Sequence, residues 1–205
     1  MLILASQSPR RAELLRNAGI SFEVRAADVD ESPREGEEPF DYVRRLAREK
    51  ALAVLASAPN GALVLGADTT VVVDGESLGK PLDAEEARQM LRRLSGRVHL
   101  VTTAVCLAQR DRNGGAVAEV ESEVTEVEFA AIGEPEIAAY VASREPMDKA
   151  GAYAIQGGAS RWIPRIRGCY FNVVGLPVAR VCAMLARAQS LESLTEPSSL
   201  QPPSA

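Results

Sequence analysis

The stretch Ala62-Leu63-Val64-Leu65-Gly66-Ala67-Asp68-Thr69-Thr70-Val71-Val72-Val73 decides how the chain folds. It holds two short runs of aliphatic and β-branched residues, Ala62–Ala67 and Thr70–Val73, parted by Asp68-Thr69 and closed by Asp74-Gly75. Near-continuous apolar runs of this length suit strands of a sheet covered on both faces. Burying Asp68 among them is costly unless it binds a cation or accepts hydrogen bonds. Two readings of it follow: a site residue at a strand end, or a turn-forming Asp whose side chain satisfies backbone amides.

Towards the N-terminus, Leu2–Ala5 reads as a short buried strand, followed by Ser6-Gln7-Ser8-Pro9 and a helix Arg10–Asn17 that Gly19 stops. A second strand, Phe22–Ala26, leads into an acidic, Pro-containing loop (Asp28–Glu38), and Pro39 opens a long helix, Phe40–Ala56, that ends at Pro59-Asn60-Gly61. Towards the C-terminus, Asp83 is positioned to cap a helix Ala84–Leu94, and strands Leu100–Gln109 and Val117–Phe129 flank the turn Asn113-Gly114-Gly115. A helix opens at Pro135 and runs to Ser143, the Gly-rich segment Gly151–Gly158 follows, Asn172–Leu176 reads as a packed strand, and Leu176–Ala188 as a last helix. Strands interleaved with helices, plus one antiparallel hairpin, predict a mixed-sheet α/β fold in one domain, residues 1–188, with a disordered Ser- and Pro-rich tail from 189 to 205.

Composition narrows the function. The chain has 205 residues and a net charge of -5, which disfavours a nucleic-acid partner, while a small phosphorylated ligand needs only a local basic pocket. Four Phe, four Tyr and one Trp are too few for a base-stacking platform. Three widely spaced cysteines make no CxxC pair and no even disulfide set, which points to a reducing cytoplasm. Met1–Ala5 is too short for a signal-peptide core, and no apolar run reaches the ~20 residues of a membrane helix.

Ser6-Gln7-Ser8-Pro9-Arg10-Arg11 sits where a strand hands over to a helix, with Ser8 at the N-cap position. Two arginines in a first helical turn oppose the helix dipole, so they call for an anion: a phosphate held by the Ser6 and Ser8 hydroxyls, amides and an Arg fork, or surface acids. Asp68 is placed to ligate Mg²⁺ or Mn²⁺ or to act as a base towards water, and Glu31 to share the metal. Lys50 and Lys80 offer compact charges to phosphates, against the common alternative of solvated surface lysines. Gln156 carries both a donor and an acceptor, as reading a base edge requires, whereas the glycines around it equally suit a turn that supports the fold. His99 is the only His, which excludes a His-based nucleophile system or a His-rich zinc site and leaves it a structural residue.

Together these pieces resemble the Maf family of nucleotide pyrophosphatases from Leu2 to about Leu185. The resemblance rests on Ala5-Ser6-Gln7-Ser8-Pro9-Arg10-Arg11, Arg45-Leu46-Ala47-Arg48-Glu49-Lys50-Ala51, Gly66-Ala67-Asp68-Thr69, Gly79-Lys80-Pro81, Leu94-Ser95-Gly96, Asp148–Gly157 and Asn172-Val173-Val174-Gly175-Leu176-Pro177, in order. It implies two lobes around a nucleotide cleft, a fold shared with the inosine triphosphate pyrophosphatases, and a homodimer. It implies Asp68 as catalytic base and metal-associated acid, with Ser6, Arg11, Glu31, Lys50 and Lys80 as the rest of the phosphate and metal site. Arg10, Thr69 and Gln156 resemble the dTTP/UTP branch, whereas the 7-methyl-GTP branch carries Gln and Glu where Thr69 and Gln156 stand. The chain departs from the family at Cys169, where an acid is common, and at Ala104, where Gly is frequent. The expected activity is hydrolysis of dTTP or UTP to the monophosphate and pyrophosphate; the alternatives are a 7-methyl-GTP pyrophosphatase and a non-hydrolysing, nucleotide-binding regulator of cell division.

Overall fold

Sheet order is set by one long strand. The computed structural model describes residues 1–195, and in it Leu63–Val73 is a single strand, β3, with Asp68 at its middle. The two runs expected from the sequence are therefore one, because Asp68 has a partner within the sheet's cover and need not break the strand. Its neighbours are β1 (Leu2–Ala5), parallel to it, and β5 (Val98–Arg110), antiparallel. β2 (Glu23–Val24) extends the β1 edge, and β6 (Ala116–Glu128) and β7 (Arg165–Arg167) extend the β5 edge, giving the order β2-β1-β3-β5-β6-β7. β4 (Glu76–Leu78) forms a hairpin with the end of β3.

On its β1 side, β3 pairs with β1 through Gly66 and with β4 from Val71. Residues 67–70 thus have no strand beside them on that edge. This gap lies beyond the C-terminal end of β1, and the side chains of Asp68 and Thr69, alternating along the strand, point to opposite faces of it.

One face is covered by α2 (Pro39–Leu55), which packs Val43, Ala47, Ala51 and Val54 on Ile3, Ala5, Val64 and Cys106. The other is covered by α1 (Pro9–Asn17), α3 (Ala84–Leu94), α4 (Glu134–Ala142) and α6 (Val178–Thr195), around Leu4, Leu65, Ala67, Val71 and Val105. Each fully buried aliphatic side chain in these two layers contributes roughly 1.5–3 kcal/mol of transfer free energy. Asp83 caps α3 as expected, accepting from the amides of Glu85 and Glu86. Ser8 stands at the N-cap of α1, but its hydroxyl makes no capping bond there.

Two further expectations are corrected. Tyr170–Val174 is a short helix, α5, not a strand. Its Val173-Val174 pair favours a strand locally, but the Asn172 amide donates to Val101 O and Thr125 Oγ1, and Gly175, at φ 124°, turns the chain out of the helix. The last helix begins at Val178 rather than Leu176 and continues to Thr195, so the first part of the expected tail is helical in backbone; residues 196–205 lie outside the described residues. Among the described residues no helix is long and apolar enough to cross a membrane.

Candidate active site

The gap in the sheet edge opens into a cleft of about 880 Å³. Ser6, Arg10, Arg11, Glu31, Lys50, Asp68, Thr69, Lys80 and Gln156 all line it. One wall is built by the β1–α1 turn, the acidic loop and α2; the other by Gly79–Leu82 and the segment Asp148–Gln156.

At its floor the Lys50 ammonium lies 2.6 Å from Glu31 Oε1 and 2.7 Å from Asp68 Oδ1. Lys50 comes from α2, Asp68 from β3 and Glu31 from the acidic loop, so the cluster depends on how closely helix and strand approach. Gly66 sets that approach. A Cβ there would lie 2.2 Å from Ala47 O and 2.8 Å from Ala51 N, both backbone atoms of α2. Glu31 is fixed by the Tyr42 hydroxyl, which donates to its carbonyl at 2.8 Å, and the loop is strapped to α2 by Arg45, which is bidentate on Glu37 and donates to Ser32 O. Partial burial alone would raise the Glu31 carboxyl, but the Lys50 hydrogen bond and charge, with Lys80 and Arg11 behind, hold it below its ordinary value. The Tyr42 hydroxyl is pushed up to about 12 by burial and by the Asp68 and Glu31 carboxylates.

Arg11 closes the other side of the gap. Its guanidinium donates through Nε to Gly175 O at 2.8 Å, through NH1 to Ala67 O at 2.9 Å and Ser6 Oγ at 3.2 Å, and through NH2 to Thr69 Oγ1 at 3.1 Å. Four of its five N–H groups are thereby spent inside the protein. Burial pulls this guanidinium below its ordinary value, against the attraction of Asp68. Arg11 therefore satisfies the edge that β1 leaves open, and one donor remains for a ligand. Arg10 projects across the cleft and pairs with Asp148 at 2.9 Å. Lys149 holds Asp148 as well, at 2.5 Å, and also donates to Glu145 O. Some burial works the other way, but Lys149 and Arg10 bring the Asp148 carboxyl down to about 2.

The glycines of the Gly-rich segment serve the fold rather than a ligand. Cβ atoms at Gly151 and Gly157 would meet Val71 and the Glu145 carboxylate at 2.8 and 2.2 Å. Gln156 between them is exposed at the cleft. His99 lies in the core, its Nε2 2.8 Å from the Tyr153 hydroxyl and its ring edge-on to Phe129 and Tyr153. Ala104, opposite Asp68 in the β3–β5 ladder, is fully buried, and Cys169 joins Thr125 Oγ1 through both its amide and its carbonyl.

Sequence reasoning missed Tyr42, Thr103 and the packing role of Gly66, and it placed Asp148 in a matched segment without giving it a role. Only Gly66 carried a local signal, since a glycine inside a strand marks a close backbone approach.

Glu31 and Asp68 converge on the Lys50 ammonium, and no third His, Cys, Asp or Glu joins them among the described residues, so these two carboxylates are the oxygen donors the cleft could offer a hard divalent cation. Mg²⁺ is commonly held by one or two carboxylates, with water and phosphate oxygens completing its shell.

Fold and cleft together define a mixed α/β protein that presents paired acids, lysines and an Arg to a small, oxygen-rich anionic ligand. The chain belongs to the Maf-like protein family, whose pattern it matches over residues 1–188. It is 55% identical over 187 residues to a dTTP/UTP pyrophosphatase of Koribacter versatilis, covering 91% of this chain and 94% of that one. It is 55% identical over 189 residues to a protein of the same name from Anaeromyxobacter dehalogenans, covering 91% and 93%. The Ham1 protein of Staphylococcus aureus shares its fold, with a TM-score of 0.51 over 91% of this chain and 98% of that one at 15% identity.

Proposed function

We propose that the cleft hydrolyses dTTP and UTP to the nucleoside monophosphate and pyrophosphate. The observation that carries this reading is the Lys50 ammonium set between Asp68 and Glu31 at the floor of a cleft whose walls bring in Ser6, Arg10 and Lys80. Relatives that match nearly the whole chain bear that activity in their names.

Asp68 Oδ1 is engaged by Lys50, while Oδ2 has no hydrogen-bond partner among the described residues and is free to accept a proton. In the proposed step Oδ2 takes a proton from water, the water oxygen attacks the α-phosphorus, and the bond to the α–β bridging oxygen breaks, releasing pyrophosphate. Lys50, Lys80 and Arg10 neutralise charge on the phosphate chain, and Ser6 donates to it. Thr69 and Gln156 face the base. Glu31 and Asp68 would hold Mg²⁺ or Mn²⁺, which supplies further neutralisation of phosphate charge. A cytoplasmic homodimer belongs to the same proposal: Cys106, Cys169 and Cys182 are all free thiols, and Tyr170 and Phe171 expose apolar surface on α5.

A panel of dTTP, UTP, CTP, ATP, GTP and 7-methyl-GTP, assayed with Mg²⁺, Mn²⁺ or chelator and with product identification, tests the reading. Release of pyrophosphate from dTTP and UTP is expected, and none from an Asp68→Asn variant with unchanged circular dichroism. Turnover by Asp68→Asn at the wild-type rate would remove Asp68 from the base role.

A further inference from the structure

Behind Thr69 lies a chain of hydroxyls whose proton directions can be assigned one by one. Thr69 of β3 and Thr103 of β5 are directly opposed in the ladder, and their Oγ1 atoms are 2.9 Å apart. A hydroxyl has one proton to donate and two lone pairs. Thr103 Oγ1 is fully buried and lies 2.9 Å from the Asn172 carbonyl, which can only accept, so the Thr103 proton is committed there. The bond between the two threonines must then be made with the Thr69 proton. Thr69 also accepts from Arg11 NH2, an obligate donor. One lone pair of Thr69 is left for the cleft, and no proton.

Asn172 is itself held without freedom. Its amide nitrogen donates to Val101 O and to Thr125 Oγ1, both at 2.9 Å, and the Gly175 amide donates to the same carbonyl that Thr103 uses. Gln156, by contrast, is exposed and can present either end of its amide, so by itself it cannot tell a donor from an acceptor.

We propose that Thr103, anchored on the Asn172 carbonyl, is a positioning residue that makes Thr69 an acceptor only, and that this acceptor selects a base with a ring N–H, uracil or thymine, against cytosine. Uracil and thymine carry N3–H beside two carbonyls. Cytosine has a lone pair at N3, which would face the lone pair of Thr69. A site built to pair with an N–H rejects the analogue lacking it far more strongly than an apolar pocket rejects a change of shape.

The inference rests on the nucleotide reading above but is tested apart from turnover, by calorimetric binding of UMP and CMP to wild type, Thr103→Val, Thr103→Ser and Thr69→Val. Wild type is expected to favour UMP. Thr103→Val frees the Thr69 proton to turn into the cleft, so its preference should fall about tenfold, mainly through tighter CMP binding. Thr103→Ser, which keeps the hydroxyl, should stay within about twofold of wild type, and Thr69→Val should lose UMP affinity along with the preference. Equal binding of UMP and CMP by wild type would overturn the proposal. So would an unchanged preference in Thr103→Val or, where that variant does not fold, in Thr69→Val. Discrimination in binding without hydrolysis of UTP would sink the enzymatic reading and leave this one standing.

Discussion

Replacing Gly66 with Ala adds one carbon atom, and the structure gives its consequences stepwise. The new Cβ would lie 2.2 Å from Ala47 O, so α2 and β3 must separate by about 0.8 Å even to reach 3.0 Å, a contact still tighter than nearly all real ones. Both atoms it meets first are backbone, Ala47 O and Ala51 N, and no side-chain rotation can relieve them. Overpacking of this kind costs about 1–3 kcal/mol. With a urea slope of about 2 kcal/mol/M, the unfolding midpoint should fall by roughly 0.5–1.5 M. Lys50 rides on the displaced helix one residue before Ala51, and its bonds of 2.6 and 2.7 Å to Glu31 and Asp68 lengthen with it. Misplacement of about 1 Å costs on the order of 10²-fold in rate. Urea unfolding and kcat/KM for dTTP, measured on the same preparation, are the assay. Wild-type stability and wild-type turnover in Gly66→Ala would refute the claim that this contact sets the acid–lysine cluster.

Three other perturbations follow from the geometry. Burial holds His99 at about 4, below its unfolded value of 6.5, so the unfolded chain binds the extra proton between those values and stability falls as pH is lowered through that window. The loss amounts to about 3 kcal/mol once complete, and His99→Gln should flatten the slope of unfolding free energy between pH 6.5 and 5. Arg11→Lys replaces four directed donors with at most three on one atom, and the abandoned acceptors at Ala67, Gly175 and Thr69 should cost about 2–4 kcal/mol in urea unfolding. Asp148→Asn breaks the ion pairs to Arg10 and Lys149, both exposed at the Asp148 end, 63% accessible, so it should change stability by less than about 1 kcal/mol by the same measurement.

The chemistry-bearing residues were legible because they depart from local expectation. Arginines at a helix start and an acid within an apolar run each called for a partner, and the cleft brings Arg10, Arg11 and Asp68 together. What was not legible is how partners divide the work. The chemistry of Asp68 is legible but its place inside one continuous strand is not, because its counter-charge, Lys50, is eighteen residues away on another element. Arg11 shows an unmet need for acceptors, but not which ones: Ser6 lies in the turn before its own helix, while Ala67 and Thr69 on β3 and Gly175 after α5 are not visible from it. The strand expected at Asn172–Leu176 follows the β-branched pair Val173-Val174, whose preference is overridden by the side-chain bonds of Asn172 to β5 and β6. The long hairpin was read within a few residues of its ends, since Asn113-Gly114-Gly115 fixes the turn and alternation fixes the register.

Hydrolysis of UTP in ¹⁸O-labelled water tests the central claim most directly, because the label records which phosphorus the water attacks. Attack at the α-phosphorus, with Asp68 as base, predicts one ¹⁸O atom in UMP and unlabelled pyrophosphate. Label in the pyrophosphate, or release of orthophosphate with UDP, would contradict it.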